Sequence, residues 1–271
     1  MLKDITLGQY IPGDTVVHRL DPRTKIMLTM VYVIAIFFVN RLTSFLLMAL
    51  FVGQILWTAK LSPKLIFKGI RALLIFVIFT AAINIYMTDG TRIPYLSFWI
   101  FNATYEGLYL AVIMALRLVF LVAGTSVLTY TTSPIVLTDG IEALLRPFRK
   151  IGVPSHEIAM MMTIAIRFIP TIIEETDKIM KAQSARGADF ESGNLLQRAK
   201  AMIPLLVPLF ISAFRRADEL ALAMECRGYR GGDKRTKMHQ LKMHRCDYVA
   251  YLWSAVAFCI IIGSRWIPGI F

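Results

Sequence analysis

Of the 271 residues, 56% are hydrophobic and only 18% are charged, with a mean hydropathy of +0.60, whereas soluble domains carry about a quarter charged residues and scatter their apolar ones periodically. Here the apolar residues fall into long runs, which excludes a soluble globular protein and makes the chain an integral membrane protein. The net charge of +12 fits basic cytoplasmic loops rather than a nucleic-acid surface.

The first 25 residues hold Lys3, Asp4, Asp14, Arg19, Asp21, Arg23 and Lys25 and no apolar signal-peptide core. The first span is therefore expected to direct insertion itself. Asp21 reads as its N-cap and Pro22 as its first helical residue. On the criterion of about 20 mostly apolar residues per crossing, spans are expected at 24–40, 43–59, 70–88, 107–130 and 248–264. The first two are joined by a few residues around Arg41 and Thr43 and read as a hairpin. Asn84 and Arg117 are the main polar intrusions. A mid-span arginine is costly and by default functional, but in a helical scaffold it can snorkel or bond carbonyls of a neighbouring helix, and that structural role is the expectation.

Lys3, Arg19, Arg23 and Lys25 precede the first span, and Lys60, Lys64, Lys68 and Arg71 lie between the second and third. The alternate loops offer Arg41 and Arg92, the latter near Asp89. The positive-inside rule then puts the N-terminus in the cytoplasm and the C-terminus outside. Tyr95, Phe98, Trp99, Phe101 and Tyr105 fit an outer interfacial segment, as does Trp266 after the last span.

Residues 131–247 differ, with 18 Lys or Arg and 13 Asp or Glu around the apolar stretches 158–166 and 202–214. Each stretch alone is too short to span, which suggests amphipathic helices at the inner membrane face; a pair of tilted or re-entrant spans is the alternative. Two arms emerge, from about Ser155 to Arg186 and from about Leu195 to Arg227, with kinks expected at Pro170, Pro204 and Pro208. The expected organisation is thus an N-terminal tail with four spans (1–130), a cytoplasmic coupling domain with two Arg-Gly-tipped helices (131–247) and a final span (248–271). The fold class is all-α integral membrane protein.

The arms end alike. "TDKIMKAQSARG" (176–187) aligns with "ADELALAMECRG" (217–228), matching Asp177 with Asp218, Ile179 with Leu220 and Ala182 with Ala223. Each arm closes on a small residue (Ala185 or Cys226), an arginine (Arg186 or Arg227) and a glycine (Gly187 or Gly228). An arginine in a last turn favours the helix dipole and glycine is the common C′ residue, which accounts for one such tip. Two in the same register also suit insertion into two similar protein grooves, where a guanidinium pairs with a carboxylate and small residues permit close approach.

Other chemistry is not indicated. None of the 16 glycines precedes a lysine, so there is no P-loop. Cys226, Cys246 and Cys259 form neither a CxxC nor a metal-spaced set, and Glu174, Glu175 and Asp177 lack metal-pyrophosphate spacing. No metal or cofactor is expected. The first three spans have no acid in their middle, unlike a typical ion-driven carrier.

"VVHRLDPRTKIML" (16–28), "RFIPTIIEETDKIMKAQSARG" (167–187) and "ADELALAMECRGYRG" (217–231) together resemble the transmembrane T component of energy-coupling factor transporters and the related scaffold of cobalt and nickel uptake. The resemblance covers essentially the whole chain. It implies a non-catalytic scaffold in a prokaryotic plasma membrane, part of an ATP-driven importer of vitamins or other micronutrients. Its partners would be two ABC-type ATPases and a substrate-binding S component. The family's two coupling helices end in Ala-Arg-Gly motifs that dock on the ATPases. Ala185, Arg186 and Gly187 match the first, and Cys226, Arg227 and Gly228 match the second with Cys for Ala. The alternatives are a stand-alone secondary transporter or channel, which the lack of intramembrane carboxylates argues against, and a membrane-embedded enzyme, for which no nucleophile–base set is apparent.

Overall fold

In the computed structural model, residues 10–91, 104–188, 190, 194–231 and 240–264 are described. The expectations for Tyr95, Phe98, Trp99, Phe101 and Trp266 fall outside them. Nearly all of the described chain is helical, and no β-strand occurs among the described residues. The helices are α1 (Val16–Arg19), α2 (Pro22–Phe38), α3 (Leu42–Ala59), α4 (Pro63–Met87), α5 (Tyr105–Thr131), α6 (Pro134–Leu145), α7 (Ser155–Ala185), α8 (Leu195–Cys226) and α9 (Arg245–Gly263), with a 3₁₀ turn, Arg146–Ile151, after α6.

The chain forms two compact units, one of residues 9–140 and 241–271 and the other of residues 141–240 with 1–8. In the first, α2, α3, α5 and α9 enclose a core of Tyr32, Ile36, Phe45, Met48, Phe51, Val52, Ile113, Phe258 and Ile261. Phe51 meets Phe258 edge-on with ring centroids 5.3 Å apart, a favoured aromatic geometry. Helix α4 lies along α5 and buries only Ile66. Its Ile75, Phe76, Phe79 and Met87 stay exposed, as suits a helix whose solvent is lipid. Two glycines permit close approach: a Cβ at Gly107 would stand 2.6 Å from the Asn84 carbonyl, and one at Gly124 2.2 Å from the Tyr32 ring.

The Asp21-Pro22 start forms as expected. The Asp21 carboxylate accepts the Arg23 N–H at 2.9 Å with Pro22 at the first helical position. The start is also tied across the unit, because the Asp21 N–H donates to Asp247 Oδ1 at 2.8 Å. The other oxygen of Asp247 caps its own helix by accepting the His244 N–H at 2.7 Å. Lys25 Nζ donates to the carbonyls of Thr131 (2.9 Å) and His18 (3.1 Å). Asp21, Lys25 and Asp247 are all buried, so burying these charged groups is offset by hydrogen bonds at every end. This knot joins the starts of α2 and α9 to the end of α5.

Arg117 has the structural surroundings expected for it. Its Nη2 donates to the Val39 carbonyl and to Asn40 Oδ1, both at 2.9 Å, and its guanidinium lies 5.8 Å from the Phe37 ring centre. The arginine sits against the C-terminal end of α2, where carbonyls lack helical partners and the dipole is negative.

Among the described residues, five helices of 18 or more residues are apolar enough to cross a membrane: α3, α4, α5, α7 and α9. Helix α2, the counterpart of the expected span 24–40, has 17 residues, about 25 Å at 1.5 Å per residue, at the short end of the range that crosses a membrane. The set differs from the expected one at α7. Helix α7 has 31 residues, because the apolar stretch 158–166 is one part of a longer helix that runs through Pro170. The expectation that this stretch is too short to span therefore does not hold for the helix that contains it.

Candidate functional site

The second unit is dominated by α7 and α8, which pack on one another. Both run through prolines, Pro170 in α7 and Pro204 and Pro208 in α8, each of which removes one i→i−4 hydrogen bond. Where the arms meet, Arg216 Nη2 donates to Glu175 Oε2 at 2.9 Å and the Ser212 hydroxyl donates to Glu175 Oε1. Phe168, Ile172, Leu209 and Phe210 flank this contact.

All six predicted tip residues lie where the repeat puts them. Ala185 is the last residue of α7 and Cys226 the last of α8. After them come Arg186 and Arg227, then Gly187 and Gly228 with φ of +89° and +72°. The hydrogen bonds that close the two ends are the same. Gly187 N–H donates to the Ser184 carbonyl and Ala188 N–H to the Gln183 carbonyl, both at 3.0 Å. In the second arm, Gly228 N–H donates to the Glu225 carbonyl at 2.8 Å and Tyr229 N–H to the Met224 carbonyl at 3.0 Å. Both are Schellman ends, in which backbone N–H groups beyond the helix satisfy carbonyls that would otherwise be orphaned. A Cβ on either glycine would meet nothing within 4 Å, so glycine is required there for its positive φ alone.

This geometry separates the two roles open to the arginines. The Gln183 and Ser184 carbonyls of the first arm and the Met224 and Glu225 carbonyls of the second accept from backbone donors, so these caps form without the guanidinium. Among the described residues neither the Arg186 nor the Arg227 guanidinium has a hydrogen-bond or salt-bridge partner, and Ala185, Arg186, Gly187, Cys226, Arg227 and Gly228 are all exposed. Each tip thus presents a cation with its bidentate donors unused, flanked by residues too small to obstruct a partner's backbone.

Sequence reasoning treated Glu175 only as a member of an acidic cluster. The structure uses it as the acceptor that links the arms, and the signal was in the repeat alignment one residue upstream of the segment compared. Among the described residues no group of three or more His, Cys, Asp or Glu could hold a metal ion. The three cysteines are free and exposed.

Comparison with known proteins covers both units. The profile of the CbiQ family, described as cobalt transport protein, matches residues 13–238. The energy-coupling factor transporter transmembrane protein EcfT of Clostridium kluyveri is 57% identical over 266 residues, 98% of either chain. The protein of the same name in Thermosediminibacter oceani is 53% identical over 266 residues, 98% of this chain and all of that one. In Bacillus subtilis the figure is 46% over 242 residues, 89% of this chain and 91% of the relative.

Proposed function

The chain belongs to the CbiQ family and, within it, to the energy-coupling factor transporter transmembrane proteins, and from that premise we propose that it is the scaffold on which two ABC-type ATPases drive an S component. The observation that carries this reading is the pair of matched helix ends. Each is capped by its own backbone and leaves an arginine exposed and unpaired among the described residues. Arg186 anchors one ATPase and Arg227 the other, each guanidinium pairing with a carboxylate in the ATPase groove. Ala185, Gly187, Cys226 and Gly228 let the groove close around the helix end. Cys226 fills the place of the family's alanine with little added volume.

ATP-driven closing and opening of the ATPase pair moves the two arms relative to one another and reshapes the surface that holds the S component. The S component selects the vitamin or other micronutrient; the scaffold binds no solute and performs no chemistry. Residues 131–247 act as the cytoplasmic coupling domain, with the spans in 1–130 and 248–271 embedded in a prokaryotic plasma membrane, N-terminus inside and C-terminus outside. Exposed Met161, Met202, Ile203, Phe210 and Phe214 on the arms give an apolar, repackable face for a membrane partner.

Affinity purification from native membranes tests this reading. Two ABC-type ATPases and a small hydrophobic substrate-binding protein should copurify, and the scaffold reconstituted alone should neither import solute nor hydrolyse ATP. Purification without ATPases, or solute flux through the isolated chain, would refute it.

A further inference from the structure

The repeat does not stop at the segments that end in Arg-Gly. Matching residues in the two arms lie 41 positions apart, as Arg186 and Arg227 do. The same offset pairs Glu175 with Arg216, the two residues joined at 2.9 Å. It also pairs Thr171 with Ser212, the hydroxyl that donates to Glu175. The groove beside the ion pair is lined by further equivalent positions, Phe168 with Leu209 and Ile172 with Ala213. The arms therefore touch through equivalent faces at equivalent heights. From there each tip is eleven residues away, from 175 to 186 and from 216 to 227, or about 16 Å of helix.

The departure from the repeat at this point has a physical reason. A strict repeat would put the same charge at both positions, and like charges held at contact distance repel. Instead the signs are opposite, and both oxygens of Glu175 are engaged by α8. With side chains 23% and 36% exposed, the pair is partly screened and its Coulomb contribution modest. Its value lies in fixing register, since two apolar helix faces alone can slide by a turn.

We propose that the Glu175–Arg216 pair is the joint that holds the two arms in matched register, so that both docking tips reach equally far from where the arms meet. Both residues are positioning residues, acting on the ATPases only through the tips. This rests on reading the tips as ATPase docking ends.

The test uses the full chain in lipid nanodiscs with its three cysteines replaced by serine. Spin labels go on Lys181→Cys and Leu222→Cys, which are exposed, equivalent positions short of the tips, and the label-to-label distance distribution is measured. Glu175→Arg and Arg216→Glu should each shift and broaden the distribution, and the milder Glu175→Gln should broaden it. The charge-swapped Glu175→Arg/Arg216→Glu double variant should return it to the parent's. An unchanged distribution in the single variants, or a folded double variant that stays displaced, overturns the joint. In the assembled transporter, with its native cysteines, the single variants should keep their ATPases but import less solute per ATP hydrolysed, and the swap should recover the ratio. Unaltered coupling in the single variants also overturns it. Failure of the docking reading is seen separately, as ATPases that stay bound when Arg186 and Arg227 are reversed.

Discussion

Three single residues carry the structural account, and each makes a separable prediction. Arg117 neutralises the carbonyl end of α2 through Val39 and Asn40. Arg117→Met should therefore lower stability by about 1–3 kcal/mol, the cost of stranding the carbonyl of buried Val39, in a denaturant or thermal melt of the purified chain, while ATPase copurification stays intact. Asp247 accepts two backbone N–H groups while only 1% exposed. Asp247→Ala should cost about 2 kcal/mol or more, and Asp247→Asn less, because the amide oxygen still accepts one bond. Gly124 gives its space to the Tyr32 ring, which is buried and bonds the Phe120 carbonyl at 2.5 Å. Gly124→Ala should destabilise by about 1–3 kcal/mol through overpacking, and the same melt reads it.

At the scale of elements, the arm ends matter most. Gly187 and Gly228 hold left-handed backbone that other residues adopt at a cost of about 1 kcal/mol. Gly187→Ala/Gly228→Ala should lower the melting temperature only slightly, because exposed helix ends relieve the strain by local fraying, yet weaken ATPase binding by re-aiming the residues beyond α7 and α8. A binding titration against purified ATPases checks this, and an unchanged affinity would count against docking at the tips. Much of this level was legible in the sequence. Apolar run length located α2, α3, α4, α5 and α9, and the Asp21-Pro22 and Arg-Gly signals located three helix ends, because caps are local chemistry. What was not legible depended on neighbours distant in sequence. Nothing near Asp247 announces that it receives the Asp21 N–H 226 positions away. The bounds of α7 were legible as an arm from about Ser155 to Arg186; that it is long and apolar enough to cross was not, because its apolar stretch 158–166 is only part of a helix that continues past Pro170.

For the whole molecule, two compact units divide the work. One is a helical bundle closed by aromatic packing and a buried polar knot, and it has the apolar surface of a membrane-embedded body. The other is dominated by a pair of long helices that meet at the Glu175–Arg216 ion pair and end in two matched tips. Family membership follows from matches over nearly the whole chain, whereas the docking role of the tips is a proposal supported by their matched caps and exposure. The central claim is that two exposed arginines hold two ATPases. The most direct measurement is pull-down of both ATPases by the Arg186→Glu/Arg227→Glu scaffold, with helix content and monodispersity matched to the parent. The account predicts that the ATPases are lost and ATP-driven uptake stops while the S component stays bound; a double variant that still captures both ATPases and still imports would contradict it.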